Sequence, residues 1–349
     1  MNKKIRKAKR LTIALLYHYV SKKKVKEYFS REHTLVDNDT DKIVRYMRKL
    51  FQDHGYHVQT IRVQPDDLSE LKRLKADFVF NLVDSKAMEI QVAKILKRLK
   101  IPYSGTDLNG IKTSNNKIKT KKIFEKNNLP TPPYTVLGLK ERISRSFLPS
   151  KFPIIVKPAF EHCSIGITDN SIAINYKQFK QVVKRLRDKH RQTLIIEQFI
   201  PGKELQITVL EKPDQTVALP IAEIAFRGKI KNKWNIYGFD EKWNKHMAIY
   251  KSCHFNAPPK RLNTDIDSQI KHDAIRAFYS LGMRDYARFD MRYNPKTHKW
   301  FFLEGNANAG IDPDPRDAMT VSIRANGMTV DDFVLHIVHN SLPAVQTYS

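Results

Sequence analysis

Two alternating segments separated by a turn constrain this chain more than any other feature. Ala287-Arg-Phe-Asp-Met-Arg-Tyr293 and Trp300-Phe-Phe-Leu-Glu-Gly-Asn306 flank Asn294-Pro-Lys-Thr-His298, where Asn and Pro favour a turn. A hairpin follows, and because side chains alternate between faces along a strand, its register decides which residues meet. With the turn centred on Thr297, Asp290 lies opposite Glu304 and Arg288 opposite Asn306, all four on one face. Two carboxylates held that close repel unless a cation sits between them. Magnesium, which takes oxygen ligands, suits two carboxylates and the amide oxygen of Asn306. The spacing leaves a second reading open: an ordinary hairpin whose Asp290 pairs with Arg288 or Arg292 at the surface. A shift of one residue would abolish the first reading.

Further charges interrupt apolar runs elsewhere. Lys157 ends Pro153-Ile-Ile-Val-Lys-Pro158, where an ammonium either meets an anion or reaches out to solvent. The following turn, Glu161-His-Cys-Ser-Ile-Gly166, can offer backbone N–H groups to phosphate, although it is not a Walker A loop. Leu194-Ile-Ile-Glu-Gln-Phe199 is an apolar strand broken by Glu197, with Glu204 shortly after it. Its edge can present backbone groups to a base, while Glu204 can accept from sugar hydroxyls. Taken alone, this pattern is a common strand–loop–strand.

The chain divides into three stretches. Residues 11–112 carry strand-like runs at 11–16 and 78–82. Over 86–100, Met88, Val92, Ile95, Leu96 and Leu99 recur at helical spacing, which together makes a βαβ pattern and a parallel sheet. Residues 113–201 open with Ser114 as a helix cap before a lysine-rich helix that reaches Asn128 and stops at Pro130. A strand at 153–158, a helix near 176–188 and the strand at 194–199 follow. Residues 202–349 are strand-rich, with runs at 204–210 and 216–223 and the hairpin described above. A helix there starts at Thr264-Asp-Ile-Asp267, which looks like a capping box, and a final helix lies near 330–340. The fold class is therefore α/β at the N-terminus and α+β beyond it.

Composition narrows the setting. A chain of 349 residues has room for two or three cores, and 41% hydrophobic with 28% charged residues excludes a disordered chain. Cys163 and Cys253 offer neither a disulfide framework nor a metal spacing, so a reducing, cytoplasmic setting is expected. Residues 1–20 imitate the start of a signal peptide. However, they run into Ser21-Lys-Lys-Lys without a small-residue cleavage site, so a buried first strand is expected. No stretch approaches the ~18 apolar residues of a membrane span. The net charge is +26, and ten basic residues precede the first acidic one, Glu27. Such a field attracts polyanions, but scattered lysines read equally as solvated surface, so charge alone names no partner.

In order along the chain stand Lys117, the Ile-Val-Lys157-Pro strand, Ser164-Ile-Gly166, Glu197-Gln-Phe199, Gly202-Lys-Glu204, Lys242, Arg288-Phe-Asp290 and Glu304-Gly-Asn306-Ala-Asn-Ala-Gly310. This series resembles the ATP-grasp superfamily, and most closely its D-alanine–D-alanine ligase branch, over roughly residues 75–340. Ile101-Pro-Tyr-Ser-Gly105 and Asn128-Leu-Pro-Thr-Pro132 look like that branch's linkers. The resemblance implies an N-terminal βαβ domain over residues 1–112, with a basic arm at 1–10. Two α+β subdomains, 113–201 and 202–349, would enclose ATP.

By resemblance, Lys117 and Lys157 hold the phosphates, and the loop of Ser164, Ile165 and Gly166 closes over them. Glu197, Gln198 and Phe199 meet adenine, Glu204 meets ribose, and Lys242 reaches the γ-phosphate. Asp290, Glu304 and Asn306 bind Mg2+, or Mn2+ in its place. Arg288, Lys242 and the backbone at Gly310 form the catalytic set. The implied reaction converts a carboxylate to an acyl phosphate and lets an amine displace phosphate, joining amino-acid-like substrates. The resemblance leaves room for a homodimer, and the basic arm for an acidic or carrier-bound partner.

The substrate half departs from that branch. Tyr17-His-Tyr-Val-Ser21 follows the first strand, where the branch has a Gly-Gly turn and a nearby glutamate. Gly310-Ile-Asp-Pro-Asp-Pro315 places two carboxylates where the branch has a serine. His162 and Cys163 replace glycine and serine, with His162 expected to take left-handed backbone, and Trp243 replaces a tyrosine. These changes imply a ligase whose substrates differ from D-alanine. The alternatives are an ATP-grasp kinase forming a stable phosphorylated product, or a basic nucleic-acid-binding protein with a vestigial ATP site.

Overall fold

Four consecutive residues, Ile13 to Leu16, are completely buried, and a strand buried on both faces belongs in the middle of a parallel sheet. The computed structural model, which describes residues 10–19, 40–85, 88–226 and 233–342, places them there. Strand β1 (Thr12–His18) runs parallel between β2 (His57–Val63) and β3 (Phe78–Asn81). Helix α1 (Thr40–Asp53) covers one face through Val44, Met47 and Phe51. The short α2 (Ser69–Lys72) and α3 (Glu89–Leu99) cover the other, with Val92, Ile95 and Leu96 turned inward. The basic arm at residues 1–9 lies outside the described residues.

Two helices then bring the chain toward the site. Asp107 caps α4 (Leu108–Ser114), and Asn116 caps α5 (Lys117–Lys126) by accepting from the Lys119 N–H. Ser114 therefore does not cap the lysine-rich helix. It ends the helix before, where its hydroxyl donates to the Ile111 carbonyl, and the extended Asn116 takes the capping role. The next sheet is antiparallel, in the order β4 (Tyr134–Leu137), β7 (Leu194–Gln198), β5 (Ile154–Pro158), β6 (Ile172–Ala173). Helix α6 (Tyr176–His190) backs it through Phe179, Val182, Val183 and Leu186.

The third sheet is built from β8 (Lys203–Leu210), β9 (Val217–Ala218), β10 (Ala222–Phe226), β11 (Cys253–Asn256), β12 (Tyr286–Asn294) and β13 (Lys299–Ala307). The single strand expected at 216–223 is two strands, because Pro220 lies between them and has no N–H for a ladder. The short helices α7 (Phe239–Trp243) and α8 (Ala248–Ser252) precede β11. Helix α9 (Thr264–Ser280) covers the core face through Ile270, Ala274 and Phe278. Its cap is Asn263, accepting from the Asp265 N–H, rather than a capping box at Thr264. Helices α10 (Ala318–Ala325) and α11 (Val330–Ser341) return to the first sheet, where Phe333, Val334 and Ile337 share a core with Ile13 and Leu15. Among the described residues no helix is long and apolar enough to cross a membrane.

The hairpin register carries a correction. Arg288 pairs with Asn306 and Asp290 with Glu304, but the next pair is Met291 with Phe302, leaving Leu303 as a bulge. Tyr293 then faces Trp300 and Asn294 faces Lys299, so the turn centres between Lys296 and Thr297 rather than on Thr297. The extra residue restores the pairing on the side that matters.

Candidate active site

The bulge sets what faces what. Phe302 and Gly305 point into the core, while Leu303 and Glu304 both line a small cavity shared with Asp290. A Cβ on Gly305 would stand 2.8 Å from Leu281 Cδ1 and 2.9 Å from Phe289 Cε1, so the core reaches the backbone there. The small cavity, about 60 Å³, has apolar walls from Ile155, Ile167, Phe199 and Ile236 and polar ones from Lys157, Ser164, Glu197, Gln198 and Glu204. A larger cavity of about 490 Å³ shares Tyr237, Lys242 and Glu304 with it. Lys117, Arg288, Asn306 and Gly310 line this second space.

Cations and carboxylates alternate through these walls. The Lys117 ammonium lies 2.5 Å from Glu304 and donates to the Glu161 carbonyl at 2.6 Å. Burial would raise the Glu304 pKa, but Lys117 outweighs it and holds the carboxyl well below the usual range. Lys157 donates to Glu197 at 2.7 Å, and Lys121 lies 3.2 Å from the other oxygen of Glu197. The Glu197 side chain is therefore taken up by two lysines, and any contact with a base falls to the backbone of Glu197–Phe199. Arg288 Nε donates to Asp290 at 3.1 Å, yet Asp290 is only 5% exposed, so the pair lies within the site and not at the surface. Burial disfavours the Arg288 charge, and Asp290 and Asp317 more than restore it. Arg292 is also buried, donating to Glu204 at 3.2 Å and to the carbonyls of Ile200, Gly202 and Asn235. Glu204 in turn accepts from the Tyr237 N–H at 3.0 Å.

The loop after β5 is pinned from across the site. Ser164 donates to the Tyr237 carbonyl at 3.1 Å, and the Trp243 indole donates to the Cys163 carbonyl at 3.0 Å. The left-handed residues here are Cys163, Ser164 and Gly166, and not His162 as the sequence suggested. Ile165 and Gly166 line neither cavity. Ile165 is buried, and a Cβ on Gly166 would stand 2.8 Å from His190 and 2.9 Å from Pro158. Lys242, on α7, sits 5.0 Å from the Tyr237 ring centroid.

Several lining residues escaped the sequence reading. Glu89, at the start of α3, and Asp84, shortly after β3, reach the larger cavity, with His162 Nδ1 3.6 Å from Asp84. Burial raises the Glu89 pKa, and Asn115 donates to its carboxylate at 2.7 Å. Asp317, which caps α10, lines the larger cavity as well, while Asp314, already marked by the sequence, is engaged by Arg316 at 3.1 Å. Lys121, buried behind these walls and lining neither cavity, also escaped the sequence reading, although its position one helical turn beyond Lys117 could have exposed it.

Among the described residues no three His, Cys, Asp or Glu side chains converge as a metal cluster. The arrangement is instead two carboxylates and an amide, and the Asn306 amide nitrogen is buried without a hydrogen-bond partner. Such hard oxygen donors fit magnesium.

The comparisons with known proteins bear on the family and the fold. The family model for the C-terminus of D-ala D-ala ligase matches residues 123–339. The D-alanine–D-alanine ligase of Methylibium petroleiphilum is 28% identical over 298 residues, covering 84% of this chain and 88% of that protein. The one from Desulforamulus reducens is 30% identical over 262 residues, covering 68% of this chain and 78% of that protein. Crystal structures of the Bacillus anthracis D-alanine–D-alanine ligase superpose with TM-scores of 0.70 for its ATP complex and 0.74. They cover 95% of this chain and 97% of theirs, at 20% and 19% identity, which establishes the ATP-grasp fold. With the family model spanning most of the chain and both walls of the site in place, this chain belongs to the D-alanine–D-alanine ligase family.

Proposed function

We propose that the protein is an ATP-dependent carboxylate–amine ligase that joins amino-acid-like substrates through an acyl phosphate. The observation that carries this reading is the β12–β13 register, which sets Asp290 against Glu304 where the small cavity, lined by Asp290, meets the larger one lined by Lys117 and Arg288, with Glu304 and Lys242 on the walls of both. A carboxylate is a poor electrophile until one oxygen becomes a leaving group, and a site walled from water protects the activated acid. Lys117, Lys157 and Lys242 would hold the phosphates. The backbone of Glu197–Phe199 would meet the base between Ile155 and Ile236, with Glu204 near the ribose. Asp290, Glu304 and Asn306 would hold magnesium, which when bound neutralises phosphate charge. Arg288, fixed by Asp290, would then face the reacting carboxylate, with the Gly310 backbone beside it. Residues 1–112, 113–201 and 202–349 would act as the three units around this space.

The large cavity, with Asp312 and Asp314 on its wall, supports substrates that differ from a pair of alanines. ADP release measured over a matrix of acids and amines, D-isomers included, tests the reading. A ligase releases ADP in step with a carbon–nitrogen product only when acid and amine are both present. A stable phosphorylated product formed without an amine would make it a kinase. Steeply salt-dependent RNA binding without turnover would point to a vestigial ATP site.

A further inference from the structure

Lys121 is fully buried and lines neither cavity, so it cannot touch a bound nucleotide. Its ammonium lies 3.2 Å from Glu197 Oε1 and donates to the Thr131 hydroxyl at 2.8 Å. That hydroxyl donates onward to the Phe302 carbonyl at 3.0 Å, and the Tyr134 ring lies 5.4 Å from the ammonium. The other Glu197 oxygen accepts from Lys157 at 2.7 Å, and Lys157 does line the cavity. Burying an ammonium is unfavourable, and one lysine alone would balance Glu197. The second gives this closed group a surplus positive charge. With only Lys157 present, Lys157 and Glu197 would form a neutral pair with little pull on an anion.

We propose that Lys121 is a positioning residue for ATP: by sharing Glu197 it leaves the Lys157 ammonium available to a phosphate. The inference rests on the ATP-using reading above and concerns how that site is charged.

The test is ATP affinity and steady-state kinetics of the full chain with MgATP, for K121M, K121R, E197Q and the double variant K121M/E197Q. K121M should raise the dissociation constant and KM for ATP at least tenfold, with kcat at saturating ATP and the KM for the acid within threefold of wild type. K121R should recover most of the affinity. In the E197Q background, K121M should change ATP affinity less than threefold, because Lys157 is already released. If K121M does not fold, K121Q, which can still bond Thr131, takes its place.

Unchanged ATP affinity in the folded variant overturns the proposal. So does an equal loss with and without Glu197, which would mean Lys121 does not act through it. A wild-type chain that fails to bind MgATP overturns the nucleotide reading itself.

The pH profile supplies a readout that a merely structural lysine would not move. Burial lowers the Lys121 pKa to about 8, against the pull of Glu197 and with the push of Lys157. Glu197 on β7, Lys157 on β5, Glu304 on β13 and the Tyr134 ring on β4 are the groups that face it. ATP affinity should fall as pH rises through about 8 in the wild type and stay level in K121R. A wild-type profile identical to that of K121R would also overturn the proposal.

Discussion

Glu304 holds two relationships at once. It faces Asp290 across the hairpin and carries the Lys117 ammonium at 2.5 Å. In Glu304→Ala a proposed magnesium ligand is lost, and Lys117, proposed to hold phosphate, loses its carboxylate partner and keeps only the Glu161 carbonyl. Turnover should fall by at least about 10²–10³-fold, the scale of losing one group that meets developing charge. Glu304→Gln separates charge from shape and should fall nearly as far. An ADP-release assay beside a melting curve checks both, and near-normal turnover in either variant would remove Glu304 from the chemistry.

Cys163 offers a chemical probe of the same space. It lines the large cavity, whereas burial pushes the Cys253 thiol up to about 12 and keeps its thiolate scarce. Maleimide should therefore label Cys163 first and stop turnover, and MgATP should slow that labelling several-fold. Peptide mass mapping reads it directly, and equal labelling of both cysteines regardless of MgATP would place Cys163 outside the site. Lys157, Asp290 and Glu304 were legible as chemistry because each is a charge in an apolar or alternating run, whereas Lys117, in a lysine-rich helix, stood out only through the family resemblance. Lys121 was marked only by lying one helical turn beyond Lys117, and nothing in the spacing marked the buried pair of Arg292 with Glu204 or the buried Glu89 carboxylate.

The hairpin shows how far pattern reasoning reaches at the level of an element. Period-two alternation was enough to place Asp290 opposite Glu304, but it carries no trace of the bulge at Leu303 that makes the pairing possible. The same limit explains the strand that Pro220 divides and the helix that Asn116 begins. Each depends on one residue's backbone and not on a run of them. Gly305 tests the packing behind the site. Gly305→Ala adds a methyl 2.8 Å from Leu281 and 2.9 Å from Phe289, and 3.1 Å from Met283 Cε, so the core must shift. A destabilisation of about 1–3 kcal/mol is expected, as for other overpacked cores. Because Gly305 lies between Glu304 and Asn306, that shift should lower magnesium-dependent turnover as well. Denaturant unfolding and metal titration of activity check the two parts, and a variant as stable as the parent would show that the core has slack.

At the scale of the whole molecule, α11 ties the first sheet to the strands that carry the site. A parallel sheet holding the strands at 11–16 and 78–82 was readable from the βαβ pattern, but β2 was not, and nothing local announces that α11 closes over that sheet. Phe333 on α11 is fully buried, with its ring 5.7 Å from that of Tyr286, which opens the strand carrying Arg288 and Asp290. Tyr46 on α1 also donates to Asp331, linking the same helix to the one that covers the first sheet. The first sheet and the site-bearing strand therefore share one core and should unfold together, however separate their sequence patterns look. Phe333→Ala should cost about 3–5 kcal/mol, the usual loss for emptying a buried phenyl site. Its calorimetric trace should keep a single transition at lower temperature. Turnover measured well below that transition should stay close to normal, since Phe333 lines neither cavity. Two separated transitions in the wild type would mean that the first sheet unfolds without disturbing β12, and the coupling through α11 would then be too weak to matter.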